Sequence, residues 1–294
     1  METEVTNQEV TCAPAAGIDA LFGDVREALH GPPSARSWTV VLQTTMRALG
    51  SWPDRVATQW IPYIESALER WPDERRVLGT RSGIARVIVD RPGHPLIGLF
   101  KRLDVRQGDH SVRPLDLVWA GVGPGLTQLS LVGLDCSDPE ALDTLVGLAR
   151  ACGGLERLEL HAARLSQASW HELLDSYVTL DARHVLLRNM STPWVHDLAC
   201  AFAFGSMETL ELASCVLDAD PILGHGLYAP SRLQSVRLRD ITDPSGAGVT
   251  SLARLDGLRL EELVVRGTPL SQSSVQELAG MLGDGALESL TISV

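Results

Sequence analysis

Lysine is almost missing from this chain of 294 residues: Lys101 is the only one, beside 24 arginines. A phosphate-cradling Walker loop needs a glycine frame leading into Lys-Ser or Lys-Thr, and Lys101 is followed by Arg102 without that frame. Long apolar runs are missing too. No stretch of about 18 uncharged apolar residues is present to cross a bilayer, and no membrane role is expected. Cysteine is sparse, at positions Cys12, Cys136, Cys152, Cys200 and Cys215, with no C-x-x-C pair. Five thiols cannot all pair within one chain, which points to a reducing compartment and not to a disulfide scaffold. The acidic start Met1, Glu2, Thr3, Glu4, Val5 lacks the basic and apolar segments of a secretory signal, so a cytoplasmic location is expected.

Catalytic and metal-binding patterns are equally scarce. His171 and Glu172 begin a zinc-protease-like spacing, but the fifth position is Asp175 and the second imidazole is missing. His196 and Cys200 stand four apart on an expected helix, where Cys200 continues the apolar side and reads as a buried thiol. The glycine-rich stretch from Pro244 to Val249 is short and reads as a loop. No catalytic residue, metal ligand or cofactor is expected.

What the chain does have is a leucine ladder. Anchors fall at Leu103, Leu129, Leu158, Val185, Leu210, Val236, Leu263 and Leu290, spaced 26, 29, 27, 25, 26, 27 and 27 residues apart. Around them the pattern L-x-x-L-x-L recurs, as in Leu126, Leu129 and Leu131 or Leu155, Leu158 and Leu160. Apolar and polar residues alternate there at a period of two, so each segment reads as a short strand with one buried face. Helical stripes lie between them: Leu142, Leu145, Val146, Ala149 and Cys152; Val195, Leu198, Ala199 and Phe202; Val275, Leu278, Ala279 and Leu282. Capping-box spacing at Ser137 and Glu140, Ser169 and Glu172, and Ser273 and Gln276 marks helix starts. Pro139, Pro193 and Pro221 fit first helical positions.

This unit of strand, turn, helix and turn resembles the leucine-rich repeat family, in its ribonuclease-inhibitor-like class, over about residues 99–294 in about eight units. The resemblance implies an α/β solenoid, with parallel strands on a concave side and helices on a convex side. The polar ladder position of the family is irregular here: Leu134, Ala163, Met190, Cys215, Ile241 and Thr268. Abundant alanine, glycine and leucine, with arginine in place of lysine, indicate GC-rich coding and a bacterial source.

Residues 1–98 carry no ladder. Residues 1–16 are polar and expected to be frayed. Over 17–98, the segments Gly17–His30, Ser37–Leu49 and Pro53–Trp71 read as helices and Ile84–Val89 as a strand. This region is expected to cap the open edge of the first repeat strand, the alternative being an independent signalling domain. Trp38, Trp52, Trp60 and Trp71 cluster within it, as core packing or as an exposed hot spot. At the other end the sequence finishes on a repeat strand from Leu287 to Val294. An open edge there could pair with a second subunit or with a continuation of the chain.

Strand parity assigns the outward side chains. The outer column reads Arg106, Val132, His161, Arg188, Ala213, Arg239, Arg266 and Ser293. The middle column reads Asp104, Ser130, Glu159, Leu186, Glu211, Arg237, Val264 and Thr291, and the first reads Arg102, Gln128, Arg157, His184, Thr209, Ser235, Glu262 and Ser289. These positions hold seven arginines and four acids, a formal +3, so the rest of a chain at -12 carries -15. The candidate partner-binding residues are therefore Arg102, Arg106, Arg157, His161, His184, Arg188, Arg237, Arg239 and Arg266. Arginine's planar fork suits carboxylates, and a protein partner with an acidic surface or segment is expected. Alternatively Arg102 with Asp104 and Arg157 with Glu159 form an internal lattice. Nucleic acid is not expected, because the acidic remainder repels phosphate and the columns hold no aromatic stacking platform.

A non-enzymatic interaction module results, an adaptor or regulatory subunit. Three further roles stay open: an inhibitor that masks an enzyme or regulator, a secreted bacterial effector, and a non-catalytic subunit of an enzyme complex.

Overall fold

A computed structural model describes residues 17–106, 108, 112–135, 139–152, 154–162, 182–189, 191–192, 207–217, 232–243, 248–253 and 260–293. The chain divides into two compact units, Met1–Arg75 and Arg76–Val294.

The first unit is helical. It contains α1 (Ile18–His30), α2 (Ala35–Ser51) and an unbroken run made of α3 (Pro53–Arg55), a π-helical turn over Val56–Trp60 and α4 (Ile61–Leu68). Helix α1 buries Ile18, Leu21, Val25 and Leu29, one stripe at helical spacing. Ser34 caps α2 by accepting a hydrogen bond from the Ser37 N–H at 3.0 Å. Pro53 opens the third helical run, where a missing N–H is tolerated. Trp38, Trp60 and Trp71 are buried, and Trp52 is half-buried. Phe22 lies 5.0 Å from Trp60 and 5.2 Å from Tyr63 between ring centres, and Trp71 Nε1 donates to the Leu29 carbonyl at 3.3 Å. The indoles are thus part of this unit's core.

The second unit opens with β1 (Val77–Gly79), a strand the sequence pattern did not signal, and α5 (Gly83–Asp90). The expected strand over Ile84–Val89 is this helix. Its β-branched residues favour a strand locally. They are overruled by the Ser82 cap, which accepts from Ala85 N–H at 3.1 Å, and by burial of Ala85 and Ile88 on one face. There follow β2 (Arg102–Arg106), α6 (Pro114–Trp119), β3 (Gln128–Val132), α7 (Pro139–Ala151), β4 (Leu155–His161), β5 (Ala182–Arg188) and β6 (Ser191–Thr192). The remainder is β7 (Thr209–Ala213), β8 (Val216–Leu217), β9 (Ser235–Arg239), α8 (Gly248–Ala253), β10 (Leu260–Arg266), α9 (Gln272–Gly283) and β11 (Leu287–Ser293).

Nine strands form one parallel sheet in the order β1, β2, β3, β4, β5, β7, β9, β10, β11, while β6 and β8 pair separately. Each leucine anchor is the register partner of the next, from Leu103 through Leu129, Leu158, Val185, Leu210, Val236 and Leu263 to Leu290, and Leu78 of β1 continues the row. The edge of β2 is taken by β1, by backbone pairing. From β2 to β10 the anchor and the residue two beyond it are no more than 3% exposed. Each such side chain contributes roughly 1.5–3 kcal/mol of burial, which fixes the register, since a one-residue slip would expose the whole set.

A turn recurs after the strands. Gly133, Ala162, Asn189, Ser214, Asp240 and Gly267 all hold positive φ, between 51° and 70°. Each donates its N–H to a carbonyl at the end of the next strand in the sheet, at 2.8–3.0 Å: His161, Arg188, Ala213, Arg239, Arg266 and Ser293 in turn. Four of the six are not glycine, and the repeated hydrogen bond offsets their left-handed backbone cost. At the irregular ladder position, Cys215 Sγ donates to the Ala213 and Leu187 carbonyls. Thr268 Oγ1 donates to the Arg266 carbonyl and accepts from Ile241 N–H at 3.0 Å.

Two expectations about α9 need correction. Its cap is Ser271, accepting from Ser274 N–H at 3.0 Å, and not Ser273. Its buried face is Ser274, Leu278 and Met281, while Val275 and Leu282 are each 38% exposed and Ala279 is exposed. Readings that involve residues 1–16, Cys136, Ser137, Ala163, His171–Asp175, Ser169, Met190, Pro193, Val195–Phe202, Pro221 and most of the glycine-rich stretch lie outside the described residues. So do the α7 side chains Leu142, Leu145, Val146 and Ala149. No described helix is long and apolar enough to cross a membrane.

Candidate binding face

The three outward columns are in register across the sheet. Strand pairing places Arg102, Gln128, Arg157, His184, Thr209, Ser235, Glu262 and Ser289 in one row, and Arg106, Val132, His161, Arg188, Ala213, Arg239, Arg266 and Ser293 in another. The nine candidate residues therefore share one face. They do not share one chemistry.

Over β2 to β4 the charges of the first and middle columns are closed on one another. Arg102 Nε donates to Asp104 Oδ1 at 2.7 Å, and its Nη2 reaches Glu159 Oε2 at 2.9 Å. Glu159 Oε1 accepts from Arg157 Nε at 2.7 Å. Because Arg102 is on β2 and Glu159 on β4, their bond passes over β3, where Gln128 and Ser130 are buried. Side chains of Arg102 and Glu159 are only 18% and 19% exposed. Burial opposes ionisation of Glu159, but the hydrogen bond from Arg157 and the charges of Arg102 and Arg157 outweigh it and hold the carboxyl below its usual range. Burial also opposes the charge on Arg102, and Asp104 and Glu159 more than compensate, so its pKa is raised. Gln128 Oε1, beneath this lattice, is the one buried side-chain oxygen without a hydrogen-bond partner among the described residues.

From β5 onward the pattern opens. Arg188, on β5, is exposed and its guanidinium makes no hydrogen bond or ion pair among the described residues, as is true of the guanidinium groups of Arg106 on β2 and Arg266 on β10. Arg239 meets Glu211 at 3.4 Å with its own side chain 52% exposed, and Arg237 meets Glu262 at 3.2 Å. The Glu262 carboxyl is lowered first by a hydrogen bond from Ser235 at 2.7 Å, against a small burial effect, and then by Arg237 and the charge of Arg266. His161 is half-buried, with Nε2 2.6 Å from Asn189 Nδ2, and His184 is exposed. Sequence reasoning missed Asn189, whose left-handed turn position brings it to His161. It also missed Ser235 as a support for Glu262.

The chemistry available on this face is ionic and hydrogen-bonding. Among the described residues no group of three or more His, Cys, Asp or Glu is placed to hold a metal ion. Cys152 and Cys215 are free and buried, and burial pushes the Cys152 thiol up to about 11, which keeps it protonated and unreactive at neutral pH. In the helical unit a groove of about 340 Å³ runs between Pro33, Tyr63, Arg70 and Trp71, with His30 Nε2 3.0 Å from Tyr63 Oη. No protein-family model matches this chain, and no curated protein matches it.

Proposed function

We propose that this chain is a leucine-rich-repeat solenoid of the ribonuclease-inhibitor-like kind. It acts in the cytoplasm as a non-enzymatic adaptor or regulatory subunit and binds an acidic segment of a protein partner. The site is the outer rim of the concave face, centred on Arg188, Arg239 and Arg266 with His161 beside them. The single observation that carries this reading is the pair of exposed, unpaired guanidinium groups of Arg188 and Arg266 on the sheet rim, with Arg239 between them held only by a half-exposed contact to Glu211, while Arg102 and Arg157 of the first row are already neutralised. Support for the repeat architecture comes from the anchor register and the recurring left-handed turn.

The geometry suits an extended ligand. Adjacent strands lie about 4.8 Å apart, so Arg239 and Arg266 are about one spacing apart and Arg188 and Arg239 about two. An extended peptide presents same-side residues about every 6.6–6.8 Å, which lets alternate carboxylates reach successive guanidinium groups as it crosses the strands. Rigid strands hold the arginine backbones in place and lower the ordering cost of docking.

A fluorescent peptide of alternating glutamate and serine, titrated with the full chain in an anisotropy assay, tests the reading. The wild type is expected to bind it and to ignore the glutamine–serine counterpart, and R188S/R239S/R266S is expected to lose roughly tenfold or more in affinity. Equal affinity in the triple variant, or tighter binding of a single-stranded oligonucleotide of the same charge, overturns it.

A further inference from the structure

The last strand breaks the burial rule that the others keep. On β2 to β10 the anchor and the residue two beyond it are at most 3% exposed, but on β11 Leu290 is only half-buried and Ile292 is 37% exposed. Helix α9 repeats the anomaly with Val275 and Leu282, which lie two turns apart and about a quarter-turn round the helix from its packed residues Ser274, Leu278 and Met281. Strand β11 is paired along one edge only, with β10, and its other edge presents a row of backbone donors and acceptors with no strand beside it among the described residues. Apolar side chains and an open strand edge therefore occupy one continuous end of the sheet.

We propose that this end binds a second copy of the chain, β11 against β11 in antiparallel pairing about a two-fold axis through Thr291, with α9 packed against its counterpart. The side-chain sequence of β11 is self-complementary in that register and not in the neighbouring one. With Thr291 opposite itself, Leu290 faces Ile292 of the second copy on the apolar side, and Ser289 faces Ser293 on the polar side. Centred on Leu290 instead, the pairing would set Ile292 against Glu288, a carboxylate. In the favoured register the two Glu288 side chains fall at opposite ends of the pairing, so no like charges meet. Because the axis is perpendicular to the sheet, both α9 helices lie on the same face, where Val275 and Leu282 supply an apolar contact. The interface is isologous and closes at two copies.

Two chains each carrying -12 repel at long range, whereas the contact itself is apolar and backbone-paired. Association is therefore expected to strengthen with salt, opposite in sign to an arginine–carboxylate contact on the rim. This distinguishes the two surfaces in one experiment.

The test is the mass of the full chain by light scattering at protein concentrations on the order of 100 µM, together with single-cysteine cross-linking. The wild type should show twice the mass of one chain, more completely at high salt, and I292K should be monomeric with an unchanged circular dichroism spectrum. Residues opposite each other in an antiparallel pair have Cα atoms about 4.5–5.5 Å apart, within disulfide range. T291C should then form a linked dimer on oxidation, in excess of the unmodified chain with its native thiols. S289C alone should not, but S289C mixed with S293C should. A wild type that stays monomeric overturns the proposal, as does cross-linking of S289C equal to that of T291C, or open-ended filaments in place of dimers.

Discussion

Arg102 and Arg188 occupy equivalent kinds of position, on the outward side of parallel strands three places apart in the sheet, yet they play different parts. Arg102 is held by two carboxylates and its side chain is 18% exposed, while the Arg188 guanidinium has no partner among the described residues and faces solvent. The difference follows the row: Arg188 lies in the outer row, where the Arg106 guanidinium is unpaired too, and Arg102 lies in the first row, within reach of the acids of the middle column. On β2 and β4 that column supplies Asp104 and Glu159, with the small Ser130 between them leaving room for Arg102 to span β3. Around β5 it supplies Leu186, which offers no charge, and the carboxylates on the two flanking strands are already engaged, Glu159 by Arg102 and Arg157 and Glu211 by Arg239. The first and middle columns over β2 to β4 are thus a closed lattice, while the outer column carries the unpaired guanidinium groups of Arg106, Arg188 and Arg266.

The largest effect should come from opening the lattice. Glu159→Gln leaves Arg102 and Arg157 with a neutral neighbour in place of a shared carboxylate, and for half-buried charges a loss of about 1–3 kcal/mol is expected in urea unfolding. The same carboxylate sets a pH dependence. Its folded pKa is lowered, so its contribution is complete above the unfolded value near 4.3 and is lost as pH falls through the folded value. The stability gap between wild type and E159Q should close in that acid window. His94, pushed down first by burial and then by Arg91, also weakens the fold in acid but is common to both proteins and cancels in the difference. A gap that does not narrow as the pH falls below the unfolded value would contradict the lattice.

The turns at the rim give the next effect. Gly267 holds φ +60°, and a Cβ there would collide with the Asp240 carboxylate. Gly267→Ala should cost about 1–2 kcal/mol. Ala162 already holds φ 51° at the equivalent turn, so Ala162→Gly should change stability by only a few tenths of a kcal/mol in either direction. Equal effects at the two sites would mean that the turn geometry does not matter.

The smallest stability change belongs to the rim. R188S/R239S/R266S removes three exposed charges and a single exposed ion pair, and should alter unfolding free energy by less than about 1 kcal/mol. A loss as large as that of E159Q would erase the distinction between the lattice and the outer column.

The strands were legible because two signals coincide: period-two alternation within each segment and a spacing of 25–29 residues between anchors. Neither reaches β1, whose three residues Val77, Leu78 and Gly79 are too few to show a period. Helix α5 hides behind Ile84, Val87, Ile88 and Val89, a β-branched run whose local preference loses to a cap and a buried face. In α9 the apolar stripe was found but its phase was not, because Val275 and Leu282 are apolar yet face outward. The outward columns of the sheet were legible from parity alone, and the pairs Arg102 with Asp104 and Arg157 with Glu159 do form. The reach of Arg102 across β3 to Glu159 was not legible, since it depends on the small Ser130 between them and not on nearest neighbours.

The most direct test of the account is quantitative affinity capture of the native-level tagged chain from its own cells, read by mass spectrometry, for three proteins in parallel. These are the wild type, R188S/R239S/R266S, and R26S/R36S/R86S, which removes the same charge from exposed positions off the sheet. The account predicts a partner recovered equally by the wild type and the off-sheet variant and lost from the rim variant. A partner retained by the rim variant at wild-type level would contradict it.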